Sequence, residues 1–257
     1  MGKTGWLVTT IVGVLFLLLG PSVPGYTLSL SIWIVPDIAM TIFLHRRGLM
    51  SRNVTIALWV ALGTIAVAGT ILDLLFARYF FVFPNSDATC GISILGVPIE
   101  EFGFYVFGGW FLTLSYVYCD EYWLRSYNRP DGDYRRWARD LPRLIVPSRR
   151  GWLIILVAVV GGIAYKRALN PEGAPIPGYF LFLLAVAYVP FFLVERAVRG
   201  FVNWRGYSLT LSVTLGISIL WEVTLAIPKG WWGYNEGCML GIFIDPWHRL
   251  PLEAVSV

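Results

Sequence analysis

Long apolar runs constrain this chain more than any other feature. Runs suited to spanning helices lie at Trp6–Gly20, Leu28–Leu44, Val54–Phe76, Pro98–Cys119, Gly151–Tyr165, Gly178–Val194 and Tyr207–Ile227. A bilayer core is crossed by roughly 20 helical residues, and lipid cannot satisfy open backbone groups, so runs of this kind must form helices. An eighth begins at Pro251 and stops at Val257, which predicts either a span cut short or an interfacial stub. Of the 257 residues, 57% are hydrophobic and 14% charged, against about 45–50% and about 25% in soluble domains. The expectation is an all-α, polytopic transmembrane bundle of seven to eight spans, with no room for a large soluble catalytic domain. Trp6–Gly20 follows Lys3 as the core of a signal peptide would, but Gly20-Pro21-Ser22-Val23-Pro24-Gly25 is a poor cleavage site, so it is read as a span.

The formal charge of +4 reports loop placement rather than nucleic-acid binding. Fifteen of the twenty basic residues fall on one side of this topology, among them Lys3, Arg46, Arg52, Arg149, Arg196 and Arg205. The positive-inside rule then puts the N-terminus in the cytoplasm and the protein in the cell membrane. Residues 1–119 form a first transmembrane repeat, 120–150 a cytoplasmic connector and 151–257 a second repeat with an incomplete last span. The connector reads as a solvated linker or as a patch for anionic lipid or a partner.

The repeat shows when the chain is compared with itself. Gly5-Trp6-Leu7 resembles Gly151-Trp152-Leu153, and Val35-Pro36 resembles Val189-Pro190. Phe83-Pro84-Asn85 and Gly233-Tyr234-Asn235 are followed by Cys90-Gly91-Ile92 and by Cys238 with Gly241-Ile242, then by Pro98-Ile99-Glu100 and Pro251-Leu252-Glu253. An even number of spans per unit gives both units one orientation, related by a pseudo-two-fold axis along the membrane normal. Cys90 and Cys238 then occupy matching outer loops and form either a disulfide or two independent thiols. Three cysteines, with Cys119, make no disulfide framework.

Carboxylates inside apolar spans are costly and point to function by default. Asp37, Asp73, Glu100, Glu101 and Glu222 lie in or at the edges of spans, and Glu253 opens the last run. Asp73, Glu222, Glu100 and Glu253 could converge in one layer on the outer side. Counting Pro98 and Pro251 as first helical residues puts Glu100 and Glu253 third, where a carboxylate caps free N–H groups, so capping and proton transfer are both open. Glu101 diverges from Glu100 by about 100° and faces another neighbour. For Asp37 the plain reading is repair of backbone bonds freed by Pro36.

Tyr79-Phe80-Phe81-Val82-Phe83 and Trp231-Trp232 with Tyr234 lie beside these acids, either as an interfacial belt or as rings that stabilise a cation in a dry pocket. His45 and His248 fall on opposite sides, which argues against a shared metal site. Neither G-x-G-x-x-G nor a P-loop occurs, so no cofactor and no metal are expected.

An acid near the end of a span, an aromatic loop with Asn, Gly-Ile, then Pro-x-Glu opening the next segment occurs twice. This resembles the membrane-embedded lycopene cyclase family of bacteria, archaea and fungi, whose two units occur separately or fused. The most specific stretch is Gly96-Val97-Pro98-Ile99-Glu100-Glu101-Phe102-Gly103-Phe104-Tyr105; in the second copy Ala254 stands where the family often has a second acid. The resemblance implies cyclisation of the linear ψ ends of lycopene to β-ionone rings without net redox change. It implies Glu100 as acid, Glu253 as counterpart or base, and Asp73 and Glu222 as tuning partners, with Glu101 less critical than Glu100. The implied partners are a lipophilic polyene, membrane lipids and other carotenoid-pathway enzymes. Alternatives are cyclisation of a C50 carotenoid or other long polyprenoid, and proton-coupled transport, for which paired repeats and buried acids are equally natural.

Overall fold

The computed structural model describes residues 23–128, 145–146, 148–169 and 176–256. The first expected span, its Gly5-Trp6-Leu7 motif and most of the connector lie outside them. The described chain is mostly helical, with six helices long and apolar enough to cross a membrane: α1 (Gly25–Arg46), α2 (Arg52–Phe80), α3 (Ile99–Trp123), α4 (Arg149–Leu169), α5 (Gly178–Val198) and α6 (Trp204–Ala226). Six of the seven full-length runs read from sequence thus appear as helices, with ends a few residues longer. The eighth does not: Leu252–Ser256 is one short 3-10 segment following a strand residue, Pro251. The expectation of a purely helical chain also needs amending, because short strand pairs shape the loops.

Two compact units divide the chain: unit 1 comprises Met1–Arg125 with Ser208–Gly233, and unit 2 comprises Ser126–Tyr207 with Tyr234–Val257. In unit 1, α3 packs against both α1 and α2. Gly48, at φ +67°, ends α1. The N–H of Leu49 donates to the carbonyl of Leu44 and that of Gly48 to His45, both at 3.0 Å, the paired bonds of a helix end that needs a left-handed residue. Three residues on, the Ser51 hydroxyl accepts from the N–H of Val54 at 3.2 Å and starts α2. Along α2, Ile56, Trp59, Val60, Val67, Ile71 and Leu75 are exposed at helical spacing. Among the described residues nothing covers that face, which suits hydrocarbon.

Helices α5 and α6 each contain a π turn, Leu184–Tyr188 and Glu222–Ala226. A proline follows each by two residues, Pro190 and Pro228; lacking an N–H, it cannot bond to the preceding turn, and a wider turn accommodates the freed carbonyl. In α6 the N–H of Ile227 reaches back five residues to Glu222 at 3.1 Å.

Two hairpins lead toward the glutamates. In unit 1, β1 (Ser93–Ile94) pairs with β2 (Val97–Pro98) through Leu95 and Gly96, both at positive φ, as a two-residue turn that follows the strand twist requires. In unit 2, β3 (Phe243–Ile244) pairs with β4 (Leu250–Pro251) across a longer loop.

Candidate active site

Pro98 is the extended N-cap of α3 and a strand residue, not its first helical residue, so Glu100 is second and Glu101 third in the helix. The N-cap, Pro98, makes no side-chain bond to α3. Glu100 instead takes two bonds from other segments on one oxygen, Oε1: the Thr27 hydroxyl donates at 2.5 Å and the Cys90 N–H at 2.6 Å. It is 1% exposed and ties the start of α1 and the loop before β1 to α3. The capping reading is therefore replaced by a cross-link between segments.

Glu101, also buried, accepts from the Tyr26 hydroxyl. Tyr26 stands within an aromatic cluster, its ring centroid 5.4 Å from Phe104, 5.9 Å from Trp221 and 6.1 Å from Trp231. The approach of Trp231 depends on Gly25, where a Cβ would fall 2.6 Å from the indole. The aromatic segments read from sequence thus separate into two kinds: Tyr79 is 65% exposed, as a belt residue is, whereas Trp231 is buried beside Tyr26.

Asp73 is the third acid. The Tyr105 hydroxyl donates to its Oδ1 at 2.7 Å, and its other oxygen is buried without a hydrogen-bond partner among the described residues. One turn earlier on α2, Gly69 lets the Tyr105 ring lie flat on the helix; a Cβ there would stand 2.7 Å from Cε1. Glu222 is buried in the π turn next to Trp221. Asp37 is buried with both oxygens lacking a hydrogen-bond partner among the described residues, so it does not repair the backbone around Pro36.

Unit 1 therefore holds Asp37, Asp73, Glu100, Glu101 and Glu222, and Glu253 belongs to unit 2. Each unit carries the same local pattern. In unit 2 the Leu240 N–H donates to Glu253 Oε1, as Cys90 does to Glu100. The N–H of Leu252 donates to the carbonyl of Ile242 at 2.9 Å, as Ile99 does to Ile92 at 3.0 Å. This register matches Cys90 with Leu240 and Ala88 with Cys238, two residues away from the pairing read from sequence. Cys90, Cys119 and Cys238 are all free thiols, in line with the second of the two alternatives left open for Cys90 and Cys238.

Three residues escaped the sequence reading. Tyr26 and Thr27 do not stand out as isolated polar residues, yet Pro24-Gly25-Tyr26 recurs as Pro177-Gly178-Tyr179, each at the start of a helix, and the repetition was a usable signal. Lys166 falls one residue past the run Gly151–Tyr165 read from sequence. It lies in α4, 5% exposed, and its ammonium donates to the carbonyl of Met239 at 2.5 Å. Glu253, outside the six long helices, has its acidity weakened by burial, opposed by the Leu240 N–H, its own N–H and the Lys166 charge. Among the described residues no group of three or more His, Cys, Asp or Glu is placed to hold a metal ion.

Fold and site together define a polytopic helical membrane protein with several buried carboxyls, one of which, Glu101, is bonded to a tyrosine set among aromatic rings. The family profile described as lycopene cyclase matches residues 24–119 and 177–254, and the chain belongs to this family, the carotenoid cyclases. Both hairpins and both of the glutamates they lead to fall inside the matched segments. None of the curated proteins matches the chain, and no solved structure does.

Proposed function

We propose that this protein cyclises the linear ψ ends of lycopene to β-ionone rings by proton transfer, with no net oxidation or reduction. The observation that carries the reading is Glu101, a buried carboxyl bonded to a tyrosine that is itself surrounded by Phe104, Trp221 and Trp231. A carboxylic acid protonates the terminal alkene, the internal double bond closes on the cation, and a carboxylate takes up a ring proton; atoms balance, and the donor is restored once that proton passes back to it. An apolar site keeps an acid protonated near neutral pH. Aromatic faces stabilise the cation between the two proton transfers.

The hydrogen bonds lead us to reverse the order of roles read from sequence. Glu100 accepts two donors on one oxygen, and its other oxygen is buried without a hydrogen-bond partner among the described residues. It suits a base or a fixed negative charge. Glu101, with a single tyrosine donor, is the proposed proton donor, and Asp73 with Tyr105 and Glu222 in its π turn are proposed to tune the site. Within this reading the chain descends from a duplicated segment, residues 1–119 and 151–257 joined by 120–150. The N-terminus is cytoplasmic in the cell membrane, and the polyene reaches the protein from the bilayer. Expression in lycopene-accumulating cells tests the activity: cyclic pigment supports it, and unchanged lycopene with the protein inserted in the membrane refutes it.

A further inference from the structure

Unit 2 contains an apolar cavity of about 330 Å³, whose lining includes Ala158 of α4, Phe180, Leu183 and Tyr188 of α5, Leu240 and Glu253. The π turn of α5 supplies part of its wall. A second, larger cavity in this unit is lined by Arg149, Arg150, Arg196 and Arg199, with Glu195 bonded to Arg199 at 3.2 Å, and is too polar to hold hydrocarbon. The matching hydrogen bonds make the apolar cavity the counterpart of the Glu100 surroundings in unit 1. Leu240 stands where unit 1 has Cys90, Phe180 where it has Thr27, and Ala254 where it has Glu101.

The substitutions change the chemistry in one direction. The hydroxyl that binds Glu100 becomes a phenyl ring, and the tyrosine-bonded acid becomes a methyl group. What is added is Lys166, whose ammonium binds the carbonyl of the Met239–Leu240 peptide while the N–H of the same peptide binds Glu253. All four residues are at most 9% exposed. A buried ammonium and a buried carboxyl are thus joined through one polarised amide, which fixes the carboxyl's position and opposes the effect of its burial. The other charged groups of this loop, Glu236, Asp245 and Arg249, engage one another at the exposed surface.

We propose that this cavity binds the apolar end of an isoprenoid chain without protonating it: a second end pocket whose wall includes Glu253, held in place through the Lys166-bound peptide. The choice of isoprenoid rests on the proposed activity; the pocket itself rests on the geometry of unit 2. Its volume lies at the low end of the range for ligand sites, about 300–1,000 Å³, and admits a chain end rather than a whole polyene.

The test uses full-length protein in lipid nanodiscs and an acyclic C10 isoprenoid bearing a diazirine, with a straight-chain C10 alcohol bearing the same group as control. Cross-links to the isoprenoid are expected within Phe180–Tyr188, falling at least fivefold in Ala158→Trp and by an intermediate amount in the milder Ala158→Leu. Glu101→Gln should retain them. Absence of these cross-links, insensitivity to both Ala158 variants, or equal labelling by the straight-chain control overturns the pocket. Product analysis tests the chemistry separately: Glu253→Gln should keep ring formation within threefold, with KM raised more than kcat is lowered. Complete loss of rings in a Glu253→Gln protein that still cross-links identifies Glu253 as a proton carrier and overturns that part. A wild-type protein that cross-links but forms no ring leaves the pocket supported and removes the proposed activity instead.

Discussion

Replacing Glu101 by Gln separates proton donation from packing at the proposed site. The amide has nearly the same volume, and its carbonyl oxygen can still accept from the Tyr26 hydroxyl, so the aromatic cluster of Tyr26, Trp221 and Trp231 keeps its contacts. Exchanging one hydrogen bond for a similar one changes stability by no more than about 1 kcal/mol. Activity is another matter, because an amide does not transfer a proton at this acidity. General acid catalysis contributes about 10²–10⁴-fold, or about 2.7–5.4 kcal/mol at about 1.36 kcal/mol per decade. The expected variant is inserted and folded, with ring formation down at least about 100-fold. Glu100→Gln adds a stability cost: its single amide oxygen must serve both Thr27 and Cys90, at about 1 kcal/mol for each bond it weakens. It should melt earlier than Glu101→Gln and, having lost the proposed base, also form rings at least about 100-fold more slowly. Pigment chromatography from lycopene-accumulating membranes, normalised to folded protein, reads both. Turnover by Glu101→Gln within threefold of wild type would refute the assignment of the donor.

Gly69→Ala should destabilise unit 1 by about 1–3 kcal/mol, since the new Cβ meets the Tyr105 ring, and should also impair activity by lifting the Tyr105 hydroxyl from Asp73; thermal unfolding in detergent and pigment yield check the two effects. Cys90, exposed and free, should react with a maleimide in native protein without prior reduction, whereas buried Cys119 should react only after unfolding; mass spectrometry of labelled peptides decides this. Ser51→Ala removes the acceptor for the Val54 N–H and should cost about 1 kcal/mol, measurable as a lower melting temperature with ring formation unchanged.

The long helices were legible because lipid imposes one rule on every residue of a span, and hydropathy alone reveals where that rule applies. The loops were less legible. Counting from Pro98 gave a capping position to Glu100, because sequence cannot tell that this proline is engaged in a two-residue strand pair and lies outside the helix. The acids themselves were conspicuous as charges in apolar runs, but their partners were not. Tyr26, Thr27 and Tyr105 look like ordinary belt or helix residues until the packing of α3 against α1 and α2 brings them to carboxylates 75, 73 and 32 residues away. Lys166 was misplaced for a related reason: a lysine followed by an arginine near the end of an apolar run reads as a loop, and only the fold turns its ammonium inward to Met239. Register between the repeats was misread at Cys238, where shared residue identity outweighed the hydrogen-bond pattern.

Lys166 gives unit 2 a pH dependence whose sign can be worked out. Burial shifts Glu253 upward from its ordinary value, and the Lys166 charge is one of the influences that restrain the shift. A carboxyl whose folded value lies above its unfolded one favours the folded state in its protonated form; that contribution is complete at low pH and is lost as pH rises through the folded value. Lys166→Met removes the restraint and moves Glu253 further up, so the variant meets a larger penalty wherever the unfolded chain would ionise and the buried site resists. The lost bond to the Met239 carbonyl is a separate cost that does not depend on the titration of Glu253. The stability gap between wild type and Lys166→Met should therefore widen from pH 5 to pH 8, and Lys166→Arg, which keeps the charge, should not show the widening. Melting in detergent at the two pH values provides the measurement. A gap of equal size at both would mean that the ammonium acts on the peptide alone, and Glu253 would lose its proposed electrostatic partner.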